Sequence, residues 1–294
     1  MKRLLITGGS GYLGRKLVEK ARKEWAVAYT YLNHPIDVPG AIGMPLDILE
    51  GDQVLRLFRD FRPHAVIHTA YSQDNLDVIV KGTKHVARAS EIMGTRLIHL
   101  STDAVFDGKR GWYHENDIPA PIHPYGKAKA EAELMVICGM PLSKTYSQKQ
   151  GTLAVRTTIE GKNAVIVRTS LIWGLDPMDM RTLYLTDCLK IGKRVALFTD
   201  EYRCPVYVDE LATAILELLS LDFRGIIHIA GPERISRYEF GMKLAQKLGL
   251  NSSGITPGLS KLSEKIRPLD CSIDTSLAQN LLRTKISSAS ELLA

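Results

Sequence analysis

Tyr125 and Lys129 lie four positions apart in the segment HPYGKAKAEAE, His123 to Glu133. Alanine, lysine and glutamate favour a helix, in which this spacing places both side chains on one face. A phenol has a pKa of about 10, and an ammonium group within ~4–6 Å favours its charged form. The pair could therefore give a proton to a substrate or take one from it. A solvated helix face with lysine–glutamate pairs would explain the same letters, so the pair needs support from elsewhere in the chain.

The hydroxyl groups of Ser101 and Thr102 follow an apolar run in TRLIHLSTD, Thr95 to Asp103. The run predicts a buried strand, and ligands of parallel α/β sheets lie at the carboxyl ends of the strands. A hydroxyl group there could hydrogen-bond both a substrate oxygen and the phenol of Tyr125. Together the two segments predict the reduction of a carbonyl group, in which Tyr125 donates a proton as a hydride arrives at the carbon.

A glycine loop near the N-terminus indicates where the hydride donor binds. Gly8, Gly11 and Gly14, in ITGGSGYLGRKLV, follow the first predicted strand and open the first predicted helix. The first glycine allows a tight turn, the second lets the backbone approach a pyrophosphate, and the third lets the helix pack on the strand. N–H groups at the start of a helix also favour an anion. The alternative is a glycine-rich turn without a ligand, and the position between strand and helix argues against it.

The cofactor predicted from this loop is NADPH or NADH. An acidic residue at the end of the second strand would hydrogen-bond the adenosine ribose of NADH. In AVAYTYLNH that end offers Thr30, Tyr31 and Asn33. None of them is acidic, which favours NADPH, although no arginine is evident for a 2′-phosphate. Asp47, after the third predicted strand, could reach the adenine or could cap the segment that follows.

Strand-like and helix-like segments alternate through the first half of the chain. The predicted strands include RLLITGG, AVAYTYL, HAVIHTAY and TRLIHLSTD, with helical segments between them. This order predicts an α/β fold with a doubly wound parallel sheet of the Rossmann type. From Leu175 the alternation is less regular, which predicts a smaller α/β substrate domain intergrown with the first. We expect a cofactor domain at residues 1–170, a substrate domain at 171–294, and a surface excursion in the polar segment 141–163.

Composition narrows the class of protein. The 294 residues are 45% hydrophobic and 24% charged, with a formal net charge of +6. The basic residues are dispersed, which argues against a nucleic-acid partner. No run approaches the roughly 18–20 apolar residues of a membrane span, and no export signal is evident. The four cysteines show no metal-ligand spacing, so we expect free thiols, no metal and a cytoplasmic location.

Several longer motifs resemble the extended short-chain dehydrogenase/reductase superfamily, and most closely the dTDP-4-dehydrorhamnose reductase family. They are STDAVFDG, PYGKAKAEAE, VRTSLIWG, DEYRCPVYVDELA and RPLDCSIDT. The resemblance covers nearly the whole chain. It implies the NADPH- or NADH-linked reduction of a 4-keto sugar carried on a nucleoside diphosphate, for deoxysugar and polysaccharide biosynthesis. By analogy with the superfamily, a homodimer is also expected.

The resemblance also implies roles for particular residues. Thr102, Tyr125 and Lys129 match the catalytic triad, with Asp103 where the family contacts the sugar. The positions that match cofactor contacts are Gly8, Gly11, Tyr12, Leu13 and Gly14, then Asp47 and Ile48 near the adenine, and Ala70, Tyr71 and Ser72 in a later turn. On the substrate side, Ser101 and Trp173 could meet the sugar, and Arg203 and Arg267 could meet phosphates. Trp173 could equally be a core residue, and both arginines could be solvated.

The chain departs from the family pattern at two positions. Ile79 occupies a place where the family often has an asparagine that helps to order the site, and Tyr71 is a bulky residue in a run that is usually small. Because of these departures, a non-catalytic function stays open as an alternative. Such a function is that of the regulatory subunit of methionine adenosyltransferase, which belongs to the same family. Epimerisation of a nucleotide sugar also stays open. Dehydration is disfavoured because the string TDAVF has no glutamate after Asp103.

Overall fold

A central parallel sheet carries the glycine loop and the Ser101–Thr102 pair at the ends of its strands. The computed structural model describes residues 1–138, 163–263 and 266–294. Within these ranges the sheet has seven parallel strands in the order β11-β6-β5-β4-β1-β2-β3. The strands are β1 (Arg3–Thr7), β2 (Ala26–Tyr31), β3 (Ala41–Pro45), β4 (Ala65–His68), β5 (Arg96–Thr102), β6 (Ala164–Thr169) and β11 (Gly225–His228). The strand order reverses between β1 and β4, which is the place where such sheets bind ligands. The predicted doubly wound α/β fold is confirmed.

Helices cover both faces of this sheet, because side chains along each strand point alternately to opposite sides. On one face lie α1 (Tyr12–Ala21) and α6 (Val208–Glu217), and on the other lie α2 (Gly51–Phe61), α3 (Thr83–Ile92) and α4 (Pro124–Ile137). In β1, Leu4 and Ile6 join the first core cluster and Leu5 joins the second. Between β4 and β5, a π-helical turn at Val78–Gly82 leads directly into α3.

A third core cluster lies in the C-terminal part of the chain, around Trp173, Phe240 and Leu244. The helices of this part of the chain include α5 (Met180–Lys190) and α7 (Arg237–Lys247), followed near the C-terminus by α8 (Ser276–Leu281) and α9 (Ala289–Leu292). Its short strands are β7 (Ile172–Trp173), β8 (Val195–Phe198), β9 (Tyr202–Arg203), β10 (Val206–Tyr207), β12 (Ile235–Ser236) and β13 (Ile255–Gly258). Ser236 and Glu239 form a capping box that fixes the start of α7.

The two parts of the chain share the central sheet. Strand β11 follows residue 170 in sequence, yet it pairs with β6 at the sheet edge, from Gly225 opposite Val165 to His228 opposite Arg168. The division into two domains at residue 170 therefore stays a proposal. It does not separate two sheets, because β11 belongs to the same sheet as the earlier strands. The expected excursion at 141–163 lies, apart from residue 163, outside the described residues. None of the described helices is long and apolar enough to cross a membrane.

Candidate active site

A cavity of about 980 Å³ joins the three groups that the sequence singled out. The predicted site residues that line it are Gly8, Gly11, Tyr12, Leu13, Gly14, Tyr71, Ser101, Thr102, Asp103, Tyr125, Lys129, Arg203 and Arg267. It opens beside the ends of β1 and β5 and extends to the C-terminal part of the chain, where Phe198 and Arg237 form its far wall. One enclosure therefore contains the glycine loop, the hydroxyl group of Thr102 and the Tyr125–Lys129 pair.

The glycine loop has the close packing that a dinucleotide requires. Gly8 has a φ of +71°, and a Cβ added there would lie 2.6 Å from the backbone of Ala70. A Cβ at Gly14 would lie 2.2 Å from the carbonyl oxygen of Gly8. Helix α1 begins after Gly11 without a side-chain cap and without an acidic residue in its first turn. Because that first turn faces the cavity, its N–H groups suit an anion such as a pyrophosphate.

Thr102 ends β5 and turns its hydroxyl group to the turn that follows. Its Oγ1 accepts a hydrogen bond from the N–H of Ala104 at 3.2 Å and donates to Oδ1 of Asp103 at 3.1 Å. The other carboxylate oxygen of Asp103 accepts from the hydroxyl group of Ser170 at 2.6 Å. Burial raises the pKa of Asp103, and the nearby Arg203, Ser170 and Thr102 oppose that rise. The carboxyl group thus fixes the orientation of the threonine hydroxyl.

Helix α4 brings Tyr125 to Thr102 through an unusually close approach. The ring nitrogen Nδ1 of His123 accepts from the N–H of Gly126 at 3.0 Å and so caps the helix. A Cβ at Gly126 would lie 2.2 Å from the carbonyl oxygen of Ala104, in the turn after Thr102. A larger residue would push the helix away from that turn. Gly126 was not among the residues predicted from the sequence. Because it has no side chain, α4 can approach the turn after β5, and this approach determines how close the phenol lies to Thr102.

Burial shifts the pKa values of both Tyr125 and Lys129. Burial raises the pKa of the Tyr125 phenol, and Tyr71 and Asp103 raise it further, while Thr102 and Arg181 oppose them. The net shift of the phenol pKa is upward, and the lowering expected from Lys129 stays a prediction. The ammonium group of Lys129 donates to the carbonyl oxygen of Leu100 at 2.9 Å. Its own pKa falls to about 8 because it is buried.

Two of the expected substrate residues use their polar groups within the protein. The hydroxyl group of Ser101 donates to the buried carboxylate of Glu133, although Ser101 also borders the cavity. The guanidinium group of Arg203 lies 3.6 Å from Asp103 and 3.5 Å from Glu201, and it donates to the carbonyl oxygen of Tyr202 at 2.7 Å. These partners compensate its charge, so Arg203 shapes the wall of the cavity. Arg267 is exposed and lies 3.8 Å from Glu201.

Trp173 lies in the third core cluster and does not line the cavity described above. Its side chain is 1% exposed, and its ring packs against Tyr207 and Phe240 with centroid distances of 5.1 and 5.5 Å. It borders a smaller apolar cavity of about 310 Å³ instead. Leu171 and Ile172, just before it, reach the main cavity. The core interpretation of Trp173 agrees with this placement because β7 turns the indole inward.

The predicted adenine-side residues lie outside the wall of the main cavity. Asp47 accepts from the N–H of Leu49 at 2.9 Å, which is a local turn, and Ile48 is 4% exposed within the second core cluster. Ala70 packs against Gly8 and so supports the glycine loop from behind. The hydroxyl group of Ser72 accepts from two backbone N–H groups in its own turn. Their roles as cofactor contacts stay predictions.

Two arginines that the sequence analysis missed line the cavity on its C-terminal side. Arg181 lies in the first turn of α5, which Asp179 caps, and Arg237 is the first residue of α7. Neither guanidinium group has a hydrogen bond or ion pair with another described residue. Burial lowers the pKa of Arg237 to about 10, which leaves it charged at neutral pH. The capping box SRYE, Ser236 to Glu239, was a sequence signal for the helix start but not for the direction of the arginine.

Ile79 occupies an apolar position beneath α4. It is fully buried within the π-helical turn and packs with Ala128 and Ala132 of α4, next to Tyr125. Packing between methyl groups therefore holds this turn against the helix that carries the phenol. The departure from the family's asparagine is accommodated by apolar neighbours rather than left as a gap.

The sequence matches the family described as the RmlD substrate binding domain over residues 1–291. The crystal structure of a hypothetical dTDP-4-dehydrorhamnose reductase from Sulfolobus tokodaii is 31% identical, covers 97% of each chain and has a TM-score of 0.79. The dTDP-4-dehydrorhamnose reductase from Bacillus anthracis, solved in complex with NADP, is 24% identical, with 100% of this chain and 98% of that chain covered and a TM-score of 0.79. At 24% identity, the similarity to the B. anthracis protein shows a shared fold alone.

A relative with a different role is also similar. Methionine adenosyltransferase 2 subunit beta from Xenopus laevis is 26% identical over 275 residues, which cover 87% of this chain and 75% of the relative. The family match nevertheless spans nearly the whole chain, and the S. tokodaii protein exceeds 30% identity over almost its full length. The resemblance drawn from the motifs is therefore confirmed: the chain belongs to the RmlD substrate binding domain family.

Proposed function

We propose that this protein is an NADPH- or NADH-dependent oxidoreductase that reduces the 4-keto group of a nucleoside-diphosphate sugar related to dTDP-4-dehydrorhamnose. The observation that supports this most directly is the shared cavity. It contains the glycine loop, the Thr102–Tyr125–Lys129 group, and Arg181 and Arg237, neither of which has a hydrogen bond or ion pair with another described residue. A simple carbonyl substrate would leave both guanidinium groups unused, whereas a diphosphate would pair with them.

The fit of the cofactor follows from the backbone. At Gly8 and Gly14, an added Cβ would meet neighbouring backbone at 2.6 and 2.2 Å, so glycine is needed to build the cradle at the start of α1. The uncapped first turn leaves N–H groups for a pyrophosphate. When bound, a nicotinamide dinucleotide supplies the hydride for the carbonyl carbon. The absence of an acidic residue at the end of β2 supports NADPH over NADH.

The chain's own residues handle the proton and the substrate oxygen. The phenol of Tyr125, whose pKa burial raises, is protonated at neutral pH and can donate its proton to the oxygen that gains negative charge. Thr102 would hydrogen-bond the same oxygen by turning its hydroxyl proton from Asp103 to the substrate. Lys129, one turn after Tyr125, would stabilise the phenolate that remains and would hydrogen-bond the nicotinamide ribose.

The test compares turnover with cofactor binding. Tyr125→Phe removes only the phenol oxygen, so NADPH oxidation with a dTDP-4-keto-6-deoxyhexose should fall by about 100-fold or more, the contribution of a positioned general acid. NADPH affinity, followed by fluorescence titration, should stay within about twofold of the parent. Tyr238→Phe is the matched control, because Tyr238 lies in α7 and does not line either cavity. Full activity in Tyr125→Phe would refute the mechanism.

The similarity to a methionine adenosyltransferase subunit supports a second candidate, a non-catalytic dinucleotide-binding subunit. That candidate predicts cofactor binding without turnover on any 4-keto nucleotide sugar, together with co-purification of a partner enzyme. Epimerisation predicts interconversion of nucleotide sugars without net NADPH oxidation, so the same assay separates it. We further propose, from superfamily analogy, a cytoplasmic homodimer, which light scattering of the purified protein would test.

A further inference from the structure

A buried ion pair lies one helical turn beyond Lys129. The carboxylate of Glu133 accepts from Arg168 at both oxygens, Nε to Oε1 at 3.0 Å and Nη2 to Oε2 at 2.8 Å. The hydroxyl group of Ser101 donates to the same carboxylate. The side chains of Arg168 and Glu133 are 1% and 3% exposed, and neither lines the cavity. The ion pair is therefore bidentate, and both carboxylate oxygens of Glu133 have hydrogen-bond partners. Because neither side chain lines the cavity, the pair is separated from any molecule bound there.

The arginine is held by three parts of the fold. Arg168 projects from β6, its Nη1 donates to the carbonyl oxygen of Glu115 at 3.3 Å, and its guanidinium group lies 5.2 Å from the ring centroid of Phe106. Apolar residues of similar volume often stabilise a core at least as well as a buried ion pair does. Stability alone is thus a weak reason for two buried charges here, and their position behind Lys129 suggests a second role.

The groups that face Lys129 come from three elements. They are His68 from β4, His99 from β5, Tyr71 from the loop after β4, with its ring 5.7 Å from Nζ, and Tyr125 and Glu133 from its own helix. Burial lowers the pKa of His68 to about 3 and that of His99 well below its usual value, so both rings are neutral near pH 7. Among these described groups, Glu133 supplies the negative charge.

We propose that Glu133, held in place by Ser101 and Arg168, is a positioning residue that keeps Lys129 in its ammonium form at the base of the cavity. The i,i+4 spacing on α4 places the two side chains on one helix face. Burial favours the neutral amine, and the Glu133 carboxylate opposes it. Ser101 belongs to this support through its hydrogen bond to Glu133, and its role in binding substrate stays a prediction. Only the kinetic consequence of the proposal rests on the proposed function.

A direct titration of Lys129 tests the proposal without any substrate. Protein labelled with ¹³C at lysine Cε would be titrated by NMR, with the Lys129 signal assigned by its loss in Lys129→Met. The parent midpoint is expected near the pKa of about 8. In Glu133→Gln, which keeps the shape and removes the charge, the midpoint should fall by about one pH unit.

The matched control is Glu131→Gln, which removes the same charge from the same helix two positions away. Residues separated by two positions do not share a helix face, so its Lys129 midpoint should match the parent. If Glu133→Gln fails to fold, Glu133→Gln combined with Arg168→Met removes both buried charges. A smaller downward shift is then expected, because loss of the Arg168 charge partly offsets loss of the carboxylate. An unchanged midpoint in a folded Glu133 variant, or an equal shift in Glu131→Gln, would overturn the proposal.

The kinetic readout separates this inference from the proposed function. If the protein reduces a 4-keto sugar, the alkaline limb of its kcat profile should move to lower pH in Glu133→Gln by the same amount as the NMR midpoint. A purely structural role would lower kcat at every pH without moving the limb. If no substrate is turned over, the titration still decides the role of Glu133, while the reductase proposal fails on its own.

Discussion

Ile79→Asn restores the residue that the family often has at this position, and the structure predicts that it destabilises this protein. Ile79 is fully buried against Ala128 and Ala132 of α4 and near Tyr125. Burying an isoleucine side chain contributes about 1.5–3 kcal/mol to the free energy of unfolding. An amide placed among apolar side chains without a hydrogen-bond partner adds a penalty of about 1–3 kcal/mol. Together the two effects should lower the free energy of unfolding by about 2.5–6 kcal/mol.

Urea unfolding followed by circular dichroism would measure this difference. The matched control is Ile79→Val, which removes one methylene group and should lower the free energy of unfolding by only about 0.5–1.5 kcal/mol. Activity should also fall in Ile79→Asn at temperatures where the protein stays folded, because the turn at Val78–Gly82 packs against the helix that carries Tyr125.

The reasoning would be refuted if Ile79→Asn were as stable as the parent. The amide would then have found partners within the π-helical turn, and apolar packing would not be what holds that turn against α4. A stable variant with raised turnover would show in addition that the missing asparagine limits catalysis in the parent.

Two further perturbations address the two ends of the cavity. Gly14→Ala places a methyl group 2.2 Å from the carbonyl oxygen of Gly8. Overpacking of about 1–3 kcal/mol should weaken NADPH binding by roughly 5- to 150-fold in a fluorescence titration. Unchanged affinity would contradict the proposal that the glycine loop binds the dinucleotide. Arg237→Met should raise KM for a nucleoside-diphosphate sugar by roughly 10- to 100-fold, the range expected for a charge-assisted hydrogen bond of about 1.5–3 kcal/mol, and leave NADPH affinity unchanged. An unaltered KM would remove the arginine from the diphosphate site.

Which arginine of the cavity can bind phosphate depends on which of them already has an acidic partner. Arg203 was one of two arginines expected to bind phosphate, but Asp103 and Glu201 already compensate its charge. Arg181 and Arg237 have no such partner among the described residues, so the available positive charge lies with them. Residue type was the same in all three cases, and only the neighbours differ.

Much of the candidate site could be predicted from the sequence because its parts lie on single elements. Gly8 to Gly14 form one strand–helix junction, and Tyr125 and Lys129 lie one turn apart on one helix. Local spacing determines such geometry, since a helix or a tight turn relates nearby residues in a fixed way. The alternation of strands and helices likewise determined the parallel sheet and therefore the edge at which Thr102 would lie.

Only the tertiary structure decided which distant groups meet. The carboxylate of Glu133 pairs with Arg168 from another element, and Gly225–His228 joins the main sheet although it follows residue 170. Trp173 turns into the core while Leu171 faces the cavity. These outcomes depend on packing between elements far apart in the chain, where each side chain takes the best of several available partners. A linear sequence records the candidates for such contacts, and the three-dimensional packing selects among them.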